Sequence, residues 1–168
     1  MLTIYIIGQT YQGGIVAYIL KSGDPGFNAS IQHGLIAATS DQGRIRWYNG
    51  LYTTTGATGT AIGTGLSNTN TIINSQGATS TSYAAGLARA YTGGGYTDWY
   101  LPSLDELNKL YAMKLLGYGG LGTNVAYWSS TENNSTHAWY QYFRYDYVEQ
   151  SNTYKDNPTL YVRAIRAF

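Results

Sequence analysis

The sequence predicts an α+β domain, and three observations predict it. Two segments carry helical period, and β-branched or aromatic runs lie at residues 14–20, 44–48 and 161–168. Twenty-one glycines against three prolines mark long, irregular connections. The 168 residues suffice for one core, since folding at that size removes roughly 70% of the unfolded chain's surface from water. We read residues 1–168 as one domain of two helices on a small sheet, with loops gathered at one end.

Met1-Leu2-Thr3-Ile4-Tyr5-Ile6-Ile7 lacks a basic leader region and soon reaches glycine, so it reads as a first strand region with no visible signal peptide. Gly14-Ile15-Val16-Ala17-Tyr18-Ile19-Leu20 is apolar on both faces and stops at the turn-forming Lys21-Ser22-Gly23-Asp24-Pro25-Gly26, which predicts a buried strand. His33-Gly34-Leu35-Ile36-Ala37-Ala38 predicts a shorter strand, and Arg44-Ile45-Arg46-Trp47-Tyr48 another. Residues 53–82 are almost all Gly, Thr, Ser, Asn or Ala, with Ile62, Ile72 and Ile73 as anchors, and read as one long loop, ordered or disordered.

Tyr83, Leu87 and Tyr91 recur every four residues before Gly93-Gly94-Gly95 and predict the first helix. The second opens at Ser103 with Glu106 three residues on, a capping box. It presents Leu104, Leu107, Tyr111 and Leu115 on one face and ends at Gly117. After Gly122 strands return: Trp139, Gln141 and Phe143 alternate with Tyr140, Tyr142 and Arg144, which places the two sets on opposite faces. Tyr161-Val162-Arg163-Ala164-Ile165-Arg166-Ala167-Phe168 predicts a terminal strand. Its simplest partner is the first apolar strand, a pairing that draws the termini together.

Ten Lys plus Arg against nine Asp plus Glu leave a formal net charge of +1, which supplies no basic stripe for a phosphate backbone, so nucleic acid is not the expected partner. Zero cysteines exclude disulfides and thiolate chemistry, and His33 and His137 are too few for a zinc cluster. No cofactor or metal is expected. No run reaches the ~18 apolar residues of a membrane span, so insertion is not expected either.

Gly56-Ala57-Thr58-Gly59-Thr60-Ala61-Ile62-Gly63-Thr64-Gly65 lacks the Lys-Ser/Thr of a phosphate loop and the strand-to-helix setting of a dinucleotide fingerprint, and reads as structural. Ser129, Ser130, Glu132 and His137 lie close in sequence, but Gly-x-Ser-x-Gly is absent, and buried hydrogen bonding accounts for them better than a hydrolase does. No catalytic residue is expected. His33 reads as a structural histidine, and Arg163 and Arg166 as framework groups needing Asp98, Glu106 or Glu132.

The segment at residues 133–160 is the informative one. Seventeen of its 28 residues are Asn, Tyr, Ser, Thr, Asp or His, a paratope-like mixture of aromatic anchors and short adaptable polar groups, which favours binding over a bland exposed loop.

Several motifs together resemble the DUF1566 (Lcl C-terminal-like) domains: Gly13-Gly14-Ile15-Val16, the strand at His33, the glycine-rich run at Gly56, Gly95-Tyr96-Thr97-Asp98-Trp99-Tyr100-Leu101-Pro102-Ser103-Leu104-Asp105-Glu106-Leu107, Tyr127-Trp128-Ser129-Ser130-Thr131-Glu132 and the final Val162-Arg163-Ala164-Ile165-Arg166-Ala167-Phe168. The resemblance implies a C-type lectin fold, in which paired termini share a small mixed or antiparallel sheet, two helices flank it and long loops form a binding face. The last segment is similar to the variable proteins of diversity-generating retroelements, where adenine-specific copying errors turn AAC-type codons into many others. Such codons never yield Trp, Gln, Glu, Lys or Met, so Trp139, Gln141, Glu149, Gln150 and Lys155 are implied frame positions.

The resemblance implies a non-enzymatic receptor or adhesin, on a phage particle or a bacterial cell surface, that binds a cell-surface protein or glycan through a diversified face. The implied contacts are Asn133, Asn134, Ser135, Thr136, His137, Tyr140, Tyr142, Arg144, Tyr145, Asp146, Tyr147, Ser151, Asn152, Tyr154, Asp156 and Asn157. The calcium-site triplets of C-type lectins are absent: Asp156-Asn157-Pro158 and Trp128-Ser129-Ser130 stand instead. An undiversified adhesin module with a fixed partner is the alternative.

Overall fold

The computed structural model describes residues 4–77 and 81–168. Thr10–Tyr11 (β1), Gly14–Ile19 (β2) and Gly34–Ala38 (β3) form an antiparallel meander that Ile165–Ala167 (β9) extends, in the order β1-β2-β3-β9. The C-terminal strand therefore does not pair with the first apolar strand. β3 lies between them, because all five of its residues are buried and a strand buried on both faces takes the centre of a sheet. The ends still meet, since the Phe168 ring packs against Tyr5 at 4.9 Å and Tyr11 at 5.4 Å. Of the expected first strand region, residues 1–3 lie outside the described residues. Residues 4–7 form no strand, and Ile4 and Ile6 are exposed.

A second sheet has the order β4-β8-β5-β6-β7, built from Gly43–Arg44 (β4), Val125–Glu132 (β5), His137–Phe143 (β6), Val148–Tyr154 (β7) and Tyr161–Val162 (β8). The strand expected at residues 44–48 shortens to its start. Beyond it the Ile45 and Trp47 amides donate to the Leu160 and Lys155 carbonyls, and both Trp47 and Tyr48 are buried. The expected terminal strand divides as the chain crosses between sheets at Arg163-Ala164. Arg163 makes that crossing tolerable. Its buried guanidinium donates to Asp41 at 2.7 Å and to the carbonyls of Ala38, Gly119 and Gly120 at 2.9, 2.7 and 3.2 Å. Arg166 forks onto Asp98 at 2.8 and 2.9 Å. Of the three acids proposed for these arginines, only Asp98 serves.

Three α-helices, not two, occur among the described residues: Gly65–Gln76 (α1), Ala84–Ala90 (α2) and Leu104–Leu115 (α3). α1 lies inside the stretch read as a loop, whose residues 78–80 are outside the described ones. Its Asn, Ser and Thr are poor helix formers, so packing holds it: Asn68, Thr69, Ile72 and Gln76 are buried along one side. α3 has both capping-box bonds between Ser103 and Glu106. It ends in a Schellman motif, with Gly117 N–H on Lys114, Tyr118 N–H on Met113 and Gly117 at φ +85°. Leu115 is 59% exposed, and Leu110 and Met113 complete the buried face instead. One core gathers Trp47, Trp99 and Trp128, and another joins α3 to Tyr127 and Phe143.

Candidate functional site

The candidate surface rests on a clamp of buried charges. Glu132, at the end of β5, accepts from the Thr55 amide at 2.8 Å and the Gly56 amide at 2.9 Å. Its Oε1 also meets Lys155 Nζ at 2.5 Å, and both side chains are out of solvent. Lys155 Nζ donates further to the Thr53 carbonyl at 2.8 Å and lies 4.7 Å from a Trp47 ring centre. Burial lowers the Lys155 pKa, and Glu132 pulls it back. One residue thereby ties the foot of the β6–β7 ribbon to the glycine-rich loop.

The same loop is held at its other end by Glu106, which accepts from the Gly63 amide at 2.8 Å and the Ser103 amide at 2.8 Å. Burial raises this carboxyl, and the backbone N–H groups oppose the rise. Gly65 is required there, because a Cβ would stand 2.1 Å from Glu106 Oε2. In mid-loop Asn68 accepts from the Gly59 amide at 3.1 Å and donates to the Gly59 carbonyl at 2.6 Å. Carboxylates and an amide of the protein itself thus occupy the amides of Thr55, Gly56, Gly59 and Gly63.

The ribbon pairs His137 with Tyr154 through Phe143 with Val148, and a four-residue loop, Arg144-Tyr145-Asp146-Tyr147, joins the strands. Cross-strand partners share a face. The register therefore puts His137, Trp139, Gln141 and Phe143 with Tyr154, Asn152, Gln150 and Val148 on one side, and Tyr140 and Tyr142 with Ser151 and Glu149 on the other. On the first side Gln141 and Phe143 are buried beside α3, and Gln141 Nε2 donates to Asn108 at 3.1 Å. Trp139, two residues along, is half-buried.

None of the sixteen residues singled out from the sequence is buried, but they do not share one face. Tyr140, Tyr142 and Ser151 point away from α3, whereas His137, Asn152 and Tyr154 lie on its side of the sheet, with the His137 and Tyr154 rings 4.2 Å apart. Arg144, Tyr145, Asp146 and Tyr147 form the tip. Asn133, Asn134, Ser135 and Thr136 form the turn before β6, and Asp156 and Asn157 follow β7. Two asparagines also hold turns. Asn134 Oδ1 accepts from the Thr136 and His137 amides, and Asn157 Oδ1 from the Thr159 amide and hydroxyl. Among the frame residues, Gln141 and Lys155 are buried, Gln150 is exposed with its amide on Gln141 at 3.0 Å, and Glu149 is exposed.

Sequence reasoning missed a neighbour of this surface. Tyr52 stacks on Tyr48 at 4.7 Å, and desolvation, followed by the adjacent Asp156 carboxylate, pushes its hydroxyl up to about 12. Leu51 beside it is 73% exposed. The signal was Asn49-Gly50 followed by an apolar pair, a turn that presents rather than buries.

Ser129 and Ser130 are buried. Ser129 Oγ donates to the Trp139 carbonyl at 2.9 Å, and Asn68 donates to Ser130 Oγ at 3.3 Å. His137 meets Thr136 Oγ1 at 2.9 Å instead of a serine. His33 Nδ1 sits 3.1 Å from the Phe168 carbonyl. Among the described residues no group of three His, Asp or Glu side chains is placed to hold a metal ion, and no helix is long and apolar enough to cross a membrane.

The family model described as the Lcl C-terminal domain matches residues 41–166. No curated protein matches the chain.

Proposed function

We propose that this chain, which belongs to the Lcl C-terminal domain family, is a non-enzymatic ligand-binding protein. In this reading its fold is of C-type lectin type, and the ribbon and its flanking turns are the face that a retroelement diversifies. One observation carries the reading: all sixteen residues are at least partly accessible, while Gln141 and Lys155, interleaved with them and unreachable from an AAC codon, are buried in fixed networks. Exchange of side chains that solvent already reaches costs less stability than exchange in the core, so one body can carry many surfaces. Tyrosines supply the anchors and the short polar residues the rim.

Display on a phage particle or bacterial surface, against a surface protein or glycan, completes the proposal. A panel of cell-surface proteins and glycans probed with the chain tests it. Tyr140, Tyr142, Tyr145 and Tyr147 replaced together by Ala should lose the target found. A target held equally well by that variant refutes the assignment of the face. A near-copy of the gene's final stretch, adenine-rich at these codons and beside a reverse transcriptase, supports diversification, and a genome lacking one favours a fixed adhesin.

A further inference from the structure

Arg144 stands at the ribbon tip with its guanidinium carbon 4.8 Å from the Tyr142 ring centre and 4.9 Å from that of Tyr147. Two aromatic neighbours and a buried Nε leave this cation dressed but unpaired. Among the described residues its side chain donates no hydrogen bond, and Nε is out of solvent without an acceptor. The acids nearest in sequence, Asp146 and Glu149, form no ion pair with it; the ion pairs among the described residues involve Glu132, Asp41 and Asp98. The backbone at this point is held, since the Tyr111 hydroxyl donates to the Arg144 carbonyl at 3.3 Å and the Tyr142 hydroxyl to the Asn124 carbonyl at 3.0 Å.

Resting on the binding role proposed above, we infer that Arg144 receives a carboxylate from the ligand, and that the ligand is an extended acidic peptide segment of a protein. Rings at its flanks favour an acceptor that approaches in the guanidinium plane, the geometry in which carboxylates engage arginine in a fork. The terminal Nη groups, carried beside a dehydrated Nε and two rings, gain more from such a partner than those of a fully solvated arginine. Arginine ringed by tyrosines is the composition of protein-binding hot spots. β7 is the last strand of its sheet, so its outer edge is open to main-chain pairing by an extended segment.

The test titrates isotope-labelled protein by NMR with a blocked pentapeptide of four threonines around a central glutamate, and with its glutamine counterpart. The glutamate peptide should give saturable shifts at residues 142–150, with binding about tenfold or more tighter than the glutamine peptide. R144A should erase that preference. R144K, which keeps the charge and loses the fork, should keep only part of it. Equal titration by both peptides, no saturable shift, or an unchanged preference in R144A overturns the inference. Sialyllactose acting at lower concentration than the glutamate peptide overturns the choice of a peptide. A target from the panel that needs the tyrosines yet binds R144A undiminished removes this inference and leaves the binding role standing. A glutamate preference erased by R144A, with no target on the panel, supports this inference and overturns the choice of the panel's proteins and glycans as partners.

Discussion

Residues 53–64 and residues 133–157 are both rich in small and polar residues, and they meet opposite fates. The first segment has its backbone amides taken by side chains from distant elements: Glu132 holds Thr55 and Gly56, Asn68 holds Gly59, and Glu106 holds Gly63. The second satisfies its backbone mainly through strand pairing, by its own seven-pair ladder, by the pairing of β6 with β5, and by local turns. A segment whose amides are taken by distant side chains is fixed by those side chains, while one held by backbone ladders leaves the side chains it turns to solvent at liberty. Composition cannot separate the two cases, because it records donors and acceptors and not who serves them.

Removing the shared clamp breaks this contrast most forcefully. Glu132→Ala leaves Lys155 charged and buried and orphans two amides, and should cost about 3–5 kcal/mol in urea unfolding. Lys155→Met should cost a similar amount, and Glu132→Leu with Lys155→Met less than the two single losses together, since no lone charge remains. A cost below about 1 kcal/mol for Glu132→Ala shows that the loop is held by something else. A cross-strand pair sharpens the same point within β5 and β6. Trp128 and Tyr140 face one another, yet Trp128 is fully buried with Nε1–H on the Ile45 carbonyl at 2.8 Å. Trp128→Ala should cost about 3–5 kcal/mol by thermal unfolding, and Tyr140→Ala clearly less.

The ion pair that ties the C-terminal strand to Asp98 should respond to acid. Arg166 holds the Asp98 carboxyl below its ordinary 3.8, so the stability contributed is complete above about pH 4 and is lost as pH falls through the folded-state value. Asp98 is more than half exposed, and water screens the pair to about 0.5–1 kcal/mol. Glu106, raised by burial, acts with the opposite sign: rising pH from 4.5 upward through its folded value costs stability. Asp98→Asn should therefore lower stability near neutral pH and converge with the parent at low pH. A constant difference at every pH refutes the pairing as its source.

Legibility in the sequence followed the range of the interactions. α3 could be placed to the residue, because Ser103, Glu106 and Gly117 form its caps from neighbours in the chain. β2 and β3 announced themselves as apolar runs. α1 did not, because Asn, Ser and Thr become helical only under tertiary packing around Ile72. The place of β9 beside β3, and the choice of Asp41 for Arg163, depend on contacts more than 120 residues apart, which no local pattern encodes. At the candidate surface, alternation separated Gln141 and Phe143 from Tyr140 and Tyr142 correctly. It could not show which face of the sheet receives Asn152 and Tyr154 and which receives Ser151, because that depends on register.

The smallest expected effect tests the permissive end of the contrast. Among the described residues Tyr145, 83% exposed, has no hydrogen bond or ring contact to lose, and Tyr147 meets only the Arg144 guanidinium among rings and charges. Tyr145→Ala should leave stability within about 0.5 kcal/mol of the parent, and Tyr147→Ala should cost a little more through the lost cation–π contact. Thermal unfolding and amide exchange along β6 and β7 read both. If Tyr145→Ala instead opened the ribbon to exchange, the tip would be a structural closure like the glycine-rich loop. Its side chains could not then be replaced without unpicking the strands beneath them.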